Sequence, residues 1–185
     1  MTVEFIHDTV AALKARYHTQ DPEELCEHLG YFVSRQSLGT TKNAVKGCAM
    51  LMDGMMILLI SLDQSENMQR VVLAHELGHA LLHPDVLGVL DNGLSFTAYD
   101  PRFGTEYEAN LFAAELLLDD RDVLDALHEN GTAPGAAADL GILPGLMELK
   151  LRSLHARGQI SEPPIIYGGN FLRRAAEEDS ASLYE

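Results

Sequence analysis

The segment 71–83, VVLAHELGHALLH, contains the pattern H-E-L-G-H at positions 75–79. Residues four apart on an α-helix differ by about 40° around the axis and about 6 Å along it, so the two imidazoles face the same side. Neutral imidazole is a preferred ligand of Zn²⁺. The pattern is therefore an HExxH motif, and we expect His75 and His79 to bind one metal ion, with Glu76 as the catalytic base.

The same pattern has an interpretation without a metal. It occurs by chance in a chain of this composition with a probability of about 0.03. Two buried histidines that hydrogen-bond to backbone carbonyls would then explain it. A third ligand elsewhere in the chain separates the two interpretations, because zinc that keeps a water usually takes three protein ligands.

One known scheme places the third ligand at another histidine six residues after the second, with a glycine between. The chain has Leu82 and Asp85 at those positions, so this scheme fails. His83 is about 12 Å along the helix from His75, and one ion cannot reach both. We expect His83 at the rim of the site or at the C-terminal end of the helix.

A second scheme takes a glutamate from a downstream helix, here predicted over 105–118, TEYEANLFAAELLL. At about 100° per residue, Glu106 lies about 60° from the centre of the apolar face. Glu108 and Glu115 lie about 100° or more away, towards solvent. A carboxylate that faces a core costs several kcal/mol unless it is paired or binds a metal. Glu106 is the predicted third ligand, with Glu108 as the alternative.

Further polar residues could support the reaction. Asn110, one turn after Glu106, could hydrogen-bond to that carboxylate or to a ligand histidine. An oxyanion donor is also expected, and we favour Tyr99, because it lies in a long loop at 84–103 that could overhang the site. The alternatives are Tyr107, His83 and His128.

The segments HELGHALLH and EYEANLFAAELLL together resemble the ImmA/IrrE family of metallopeptidases, a gluzincin-like group of phages, mobile elements and stress regulators. The resemblance covers about residues 50–120. It implies a cytoplasmic zinc endopeptidase in which His75, His79 and Glu106 bind Zn²⁺ and Glu76 is the base. Because some members cleave a helix-turn-helix repressor, it also implies a DNA-binding repressor as the protein substrate.

Two other classes of function compete with the endopeptidase. One is a non-proteolytic zinc-binding module with a regulatory or sensor role, and the other is a metal-free adaptor with two core histidines. Glu76 favours the enzyme, because a purely structural zinc site needs no base and closes its coordination with a fourth protein ligand.

The elements that position these residues begin with a β-hairpin predicted at 48–62. Asp53-Gly54 accepts the positive φ values of a two-residue turn, and apolar runs flank it. The second strand, 55–62, is almost entirely apolar, which predicts burial on both faces. This strand immediately precedes the metal-binding helix, and the resemblance implies that a nearby strand edge pairs with an extended substrate. The metal-binding helix should follow, with Asp63 or Ser65 as its N-cap.

The remaining pattern is helical on both sides of the hairpin. Because the strands cluster and do not alternate with helices, the fold class is α+β. The resemblance implies a zincin-like arrangement with a small antiparallel or mixed sheet packed on the metal-binding helix. Residues 132–141 are rich in small side chains and predict a linker. Further helices are predicted at 3–17, 22–29, 105–118, about 120–130 and 143–156, with a short strand at 31–34.

Length and charge narrow the class of protein. The chain has 185 residues, which predicts one metallopeptidase domain over 1–185 with a core at about 45–120 and a mobile acidic tail at about 175–185. Lys and Arg number 13 and Asp and Glu 28, for a net charge of −15. A phosphate backbone or an anionic membrane needs a basic surface, so the composition excludes both as direct partners.

Two cysteines, Cys26 and Cys48, provide no disulfide framework. Glu4 and Asp8 stand where a signal peptide would be basic, and no apolar run approaches the length of about 20 residues that crosses a membrane. These features lead us to expect a cytoplasmic protein.

Overall fold

The computed structural model describes residues 1–41, 44–85, 87 and 104–161. These residues form seven helices and three strands, and the predicted α+β class is confirmed. In chain order the elements are α1 (Val3–Tyr17), α2 (Pro22–Leu29), β1 (Phe32–Gln36), β2 (Gly47–Met52), β3 (Met55–Ser61), α3 (Glu66–Leu82), α4 (Thr105–Leu117), α5 (Asp120–Asn130), α6 (Ala133–Asp139) and α7 (Pro144–Ala156).

The three strands form one mixed sheet in the order β1-β3-β2. β2 and β3 are antiparallel and form the predicted hairpin, while β1 pairs with β3 in parallel. Asp53 and Gly54 connect the hairpin with φ values of 51° and 78°. Both values are positive, as a two-residue turn that matches the twist of the strands requires.

β3 is buried on one face only. Met56, Leu58 and Ile60 are buried against α3, whereas Met55 on the opposite face is 51% exposed. The expectation that this strand is buried on both faces is wrong, because the described helices that contact β3 pack on a single side of it.

α3 begins where the sequence predicts and lies in the middle of the structure. Ser65 is its N-cap, with Oγ accepting a hydrogen bond from the Met68 N–H at 3.3 Å. Asp63, the other candidate, instead accepts hydrogen bonds from the N–H groups of Leu38 and Gly39 after β1. The sheet packs on one side of α3 and α4 on the other, so α3 is buried around most of its circumference.

One segment is wrongly predicted. Residues 132–141 were expected as a linker, but α6 occupies Ala133–Asp139. Thr132 caps it by accepting a hydrogen bond from the Gly135 N–H at 3.2 Å, and Ala136 and Ala137 are buried. Small side chains indicate a linker only when they stay exposed, and alanine is also the strongest helix former.

No helix in the described ranges is long and apolar enough to span a membrane. The predicted acidic tail at 175–185 and most of the predicted loop at 84–103 lie outside the described residues.

Candidate metal centre

The packing of α3 on α4 brings the three predicted ligands together. The Nε2 atoms of His75 and His79 are 3.0 Å apart. Oε1 of Glu106 lies 3.2 Å from Nε2 of His79, and Oε2 lies 3.6 Å from Nε2 of His75. The three ligand atoms lie within 4.8 Å of one another, which is the spacing of a site for one ion.

Gly78 sets how closely the two helices approach. A Cβ at this position would lie 3.1 Å from Cβ of Phe112 and 3.2 Å from Cα of Ala109, both on α4. Any larger residue would therefore push against α4. Glu106 lies in the first turn of α4, so its distance from the histidines depends on this approach.

The protonation of these side chains fits a divalent metal ion. Burial, and then the charge of His79, lowers the pKa of His75 to about 3, and burial also lowers the pKa of His79. Both imidazoles are therefore neutral at neutral pH, the form that binds metals. Burial alone would raise the pKa of Glu106, but its hydrogen bond to His79 and its electrostatic interactions with the His75 and His79 rings hold it below the usual value.

Glu76 lies next to this cluster, and its pKa is shifted in the opposite direction from that of Glu106. It is buried, the Ala49 backbone N–H donates to its carboxylate, and its Oε2 has no hydrogen-bond partner within the described residues. Burial, and then the charge of Glu106, raises the pKa of Glu76 to about 8. A buried carboxylate oxygen without a partner, beside two imidazoles and a second carboxylate, fits an acceptor for a water molecule at a metal ion.

Only some of the predicted supporting residues lie close to the three ligands in the described part of the chain. Asn110 is buried and its side chain interacts with His75, one of its two predicted partners. Tyr99 lies outside the described residues. Among the alternative oxyanion donors, the ring of His83 lies 5.4 Å from that of His79, whereas His128 is exposed on α5.

Two glutamates of α4 were expected to face solvent, and both expectations are wrong. Glu108 Oε2 is hydrogen-bonded to Nε2 of His83 at 2.7 Å, and the amino group of Met1 contacts its other oxygen. Glu115 has a side chain that is only 2% exposed and lies 2.9 Å from Nζ of Lys150. The cause is that α4 packs against α1 and α7 as well as α3, so more than one of its faces is buried.

The strand edge nearest the candidate metal site belongs to β2. β3 has a neighbour on each side, so its own edges are occupied, and β2 lies beside α3. The Ser61 N–H donates to the Lys46 carbonyl at 2.9 Å. Antiparallel strands alternate between bonded and unbonded pairs, so the backbones of Gly47, Ala49 and Leu51 point away from β3. The contact of the Ala49 N–H with Glu76 agrees with this direction.

A cavity of about 170 Å³ lies between β2 and α3. Three of the candidate metal-site residues line it: His75, Glu76 and Glu106. The sequence did not single out the other four, Lys46, Gly47, Met68 and Val72. A glycine immediately before the predicted hairpin, Gly47, was the one available signal, since a glycine in a strand often marks a close backbone approach. A Cβ on Gly47 would lie 3.1 Å from Cγ of Glu76.

An HExxH helix packed on a small mixed sheet, with a glutamate from the next helix, defines the zincin-like class of metal-site proteins. The chain matches the peptidase family M78, described as the IrrE N-terminal-like domain, over residues 26–151, and it belongs to this ImmA/IrrE family of metallopeptidases. The resemblance in the sequence is thereby confirmed, and the matched range includes every residue that lines the cavity. No curated protein matches the chain.

Proposed function

We propose that this protein is a zinc-dependent endopeptidase. The observation that carries the proposal is the convergence of His75, His79 and Glu106 on one point, with the unpartnered carboxylate oxygen of Glu76 beside it. Two neutral imidazoles and one carboxylate form the donor set of catalytic zinc sites, which keep a fourth position open. A metallopeptidase-type function follows from the family, and zinc is the metal that this donor set favours.

When bound, Zn²⁺ would acidify a water molecule and polarise the peptide carbonyl. Glu76 takes the proton from the attacking water and passes it to the leaving amine. The Ala49 N–H fixes one side of the Glu76 carboxylate, so the other oxygen remains for this proton. Asn110, buried beside His75, orients that ring, as groups behind a metal ligand commonly do.

The edge of β2 is the proposed site for the substrate backbone. Gly47 and Leu51 direct their backbone N–H and C=O groups away from β3, and an extended peptide would pair with them as an added strand. The Ala49 N–H, between them, is directed at Glu76. A peptide on this edge therefore passes directly over the base, which places a backbone carbonyl within its reach.

The proposed partner is a DNA-binding repressor of the helix-turn-helix type, in the cytoplasm of a cell that carries a phage or mobile element. The net charge of −15 supports a basic protein as partner, because opposite charges accelerate association. It also disfavours binding of this chain to nucleic acid itself.

The test uses the variant Glu76→Gln, which preserves the shape of the side chain and removes the base. The zinc-loaded wild type should cleave a repressor encoded beside its gene, while E76Q binds about one zinc per chain and leaves the repressor intact. Cleavage products are read by mass spectrometry. Equal cleavage by E76Q would exclude Glu76 as the base, and a wild type without bound zinc would exclude the metal site.

The alternative proposal, a zinc-binding regulatory or sensor module without proteolysis, predicts a different result in the same experiment. Wild type and E76Q would both bind zinc and the partner, and neither would cleave it. The buried oxygen of Glu76 favours the endopeptidase, because a module without a reaction to perform gains nothing from an unpartnered buried carboxylate.

A further inference from the structure

The face of the sheet that points away from α3 carries apolar side chains of β2 and β3, and we call it the outer face. Its residues form three cross-strand pairs: Cys48 with Leu59, Met50 with Ile57, and Met52 with Met55. Successive side chains of a strand point to opposite sides of a sheet. A Cβ on Gly47 would meet Val72 and Glu76 of α3. Cys48 and Met50 therefore lie on the outer face.

The outer face is apolar but stands outside the hydrophobic core. Ala49 and Leu51 of β2 pack against the buried core residues. Among the described residues, Cys48 and Met50 are partly exposed and take no part in that packing. Exposure rises towards the hairpin turn, where the side chain of Met52 is 45% exposed. Apolar side chains that lie together on a surface and are not needed by the core mark a place where another molecule binds.

β2 is an edge strand among the described residues, and its hydrogen-bond pattern determines which side chains a bound peptide would contact. The backbone groups of Cys48 and Met50 point to β3, because they alternate with those of Gly47, Ala49 and Leu51. A peptide paired antiparallel with β2 would therefore form non-hydrogen-bonded pairs with Cys48 and Met50. In such pairs the Cα atoms are about 4.5 Å apart, and the side chains are at their closest.

Ala49 relates these two contacts to the cleaved bond. Its N–H donates to Glu76, so the substrate residue opposite Ala49 would have its backbone beside the proposed base. The two neighbours of that residue in the peptide would lie opposite Cys48 and Met50, with their side chains on the outer face. Whichever peptide bond of the middle residue is cleaved, one of these two neighbours lies on each side of it.

Cys48 and Met50 offer apolar contact without charge. Burial, and then the charge of Glu76, raises the pKa of the Cys48 thiol to about 11, so the thiol is neutral at neutral pH. The methionine side chain is flexible and polarisable, and it adapts to aliphatic and aromatic partners. A charged substrate side chain would lose water here without gaining a partner, whereas an apolar one would bury its surface favourably.

We infer that Cys48 and Met50 determine substrate specificity. They select apolar side chains at two substrate positions that are separated by one residue, with the cleaved bond between them. This inference rests on the proposed endopeptidase function and on the edge of β2 as its substrate site.

The experiment reads the sequence around each cleaved bond. The full chain, loaded with zinc, is incubated with a mixture-based decapeptide library, and the products are identified by mass spectrometry. The wild type should favour Leu, Ile, Met and Phe over Asp, Glu, Lys and Arg at the two positions. The expected preference is about fivefold, the upper end of the range for one cross-strand pair.

Substitution of Met50 should change one of the two positions and leave the other. Met50→Lys should convert the apolar preference at its own position into a preference for Asp and Glu, because opposite charges attract across a strand pair. The position opposite Cys48 should stay apolar. Met50→Gln should remove the preference at the same single position. Thermal melting shows whether each variant is folded, and Met50→Gln decides the case in which the lysine prevents folding.

The matched control is Met55→Lys, which introduces the same charge by the same substitution on the same face. Met55 is 51% exposed, but it lies on β3, so β2 separates it from the bound peptide. This variant should keep the wild-type profile, and a shift equal to that of Met50→Lys would overturn the inference. One profile for the wild type and both Met50 variants would also overturn it and leave the endopeptidase intact. No cleavage by the wild type would overturn both.

Discussion

Nε2 of His79 lies 3.2 Å from Oε1 of Glu106, across the interface between α3 and α4. His79 follows from the HExxH spacing along one helix, but Glu106 arrives from a separate helix. The geometry of the proposed metal site therefore depends on how these two helices pack. Substitutions on either side of the interface should change the affinity for the metal.

The first prediction concerns the choice between two neighbouring glutamates. Glu106→Gln replaces an anionic ligand by a neutral amide and should weaken zinc binding by more than about 100-fold, beyond the loss typical of outer-shell partners. Glu108→Gln should leave zinc affinity within about tenfold of wild type, because Glu108 contacts His83 and lies outside the three-residue cluster. Competition with a chromophoric chelator measures both constants. The opposite order would assign the ligand to Glu108.

The second prediction concerns Gly78. A Cβ at Gly78 would meet the Ala109 backbone at 3.2 Å, and backbone atoms cannot move aside as a flexible side chain can. Gly78→Ala should therefore push α4 outwards and weaken zinc binding about tenfold, as small displacements of a ligand do. Its stability should fall by about 0–2 kcal/mol, because overpacking costs about 1–3 kcal/mol and alanine in a helix regains about 1 kcal/mol.

Gly135→Ala is the matched control, because its Cβ would lie 2.9 Å from Oγ1 of Thr132 on α6. α6 packs on α5 and α7, so this variant should lose some stability and keep its zinc affinity. Calorimetric melting and chelator competition read the two effects separately. Equal zinc affinity in wild type and Gly78→Ala would show that the helix spacing does not set the site.

The third prediction is a pH dependence of the metal-free protein. Glu76 has a pKa raised from 4.5 to about 8, so the folded state retains a proton that the unfolded chain has lost. Glu76 therefore reduces stability as pH rises from about 4.5 to about 8. His75 acts oppositely, because its pKa of about 3 makes stability rise between about pH 3 and the ordinary histidine pKa of 6.5. The range above pH 6.5 isolates Glu76.

Urea unfolding of the chelator-treated protein should therefore show a loss of about 1–2 kcal/mol between pH 6.5 and 8. Glu76→Gln has no proton to lose and should abolish this slope, and Asp53→Asn, a change in the hairpin turn, should leave it. A slope in E76Q equal to that of the wild type would assign the titration to another group.

Helix periodicity correctly predicted that Glu106 lies towards the buried face of α4, but it wrongly predicted that Glu115 on the same helix faces solvent. An apolar face calculated from one helix assumes a single buried side, and α4 packs on α1, α3 and α7. The HExxH spacing needs no tertiary information, which is why His75, Glu76 and His79 were accessible from the sequence. The cavity was not, because it lies where β2 meets α3, and that place depends on the order of strands in the sheet.

The last prediction concerns the buried ion pair that holds the far end of α4. Nζ of Lys150 lies 2.9 Å from Glu115 Oε2 and 2.6 Å from Asp120 Oδ1, and the side chains of Lys150 and Glu115 are each only 2% exposed. Glu115→Leu would leave a buried ammonium with one partner, Asp120. Removing one member of a buried pair costs about 3–5 kcal/mol, and the contact with Asp120 should place this variant at the lower end of that range.

The double variant Glu115→Leu/Lys150→Met should recover most of this loss, because apolar side chains of similar volume often replace a buried ion pair without cost. Urea unfolding at pH 7 measures the three stabilities, and their difference gives the coupling between the two residues. Glu115 also has a pKa below its usual value: burial would raise it, and the charge of Lys150 together with the hydrogen bonds from Ser153, His7 and Lys150 more than offsets that effect. Its contribution to stability is therefore present above the unfolded pKa of 4.5 and lost as pH falls. If the double variant were as unstable as Glu115→Leu, a buried ammonium without its main partner could not be the cause. Loss of the other contacts of Glu115, with Nδ1 of His7 at 2.8 Å and Nη2 of Arg157 at 3.8 Å, would then explain the effect.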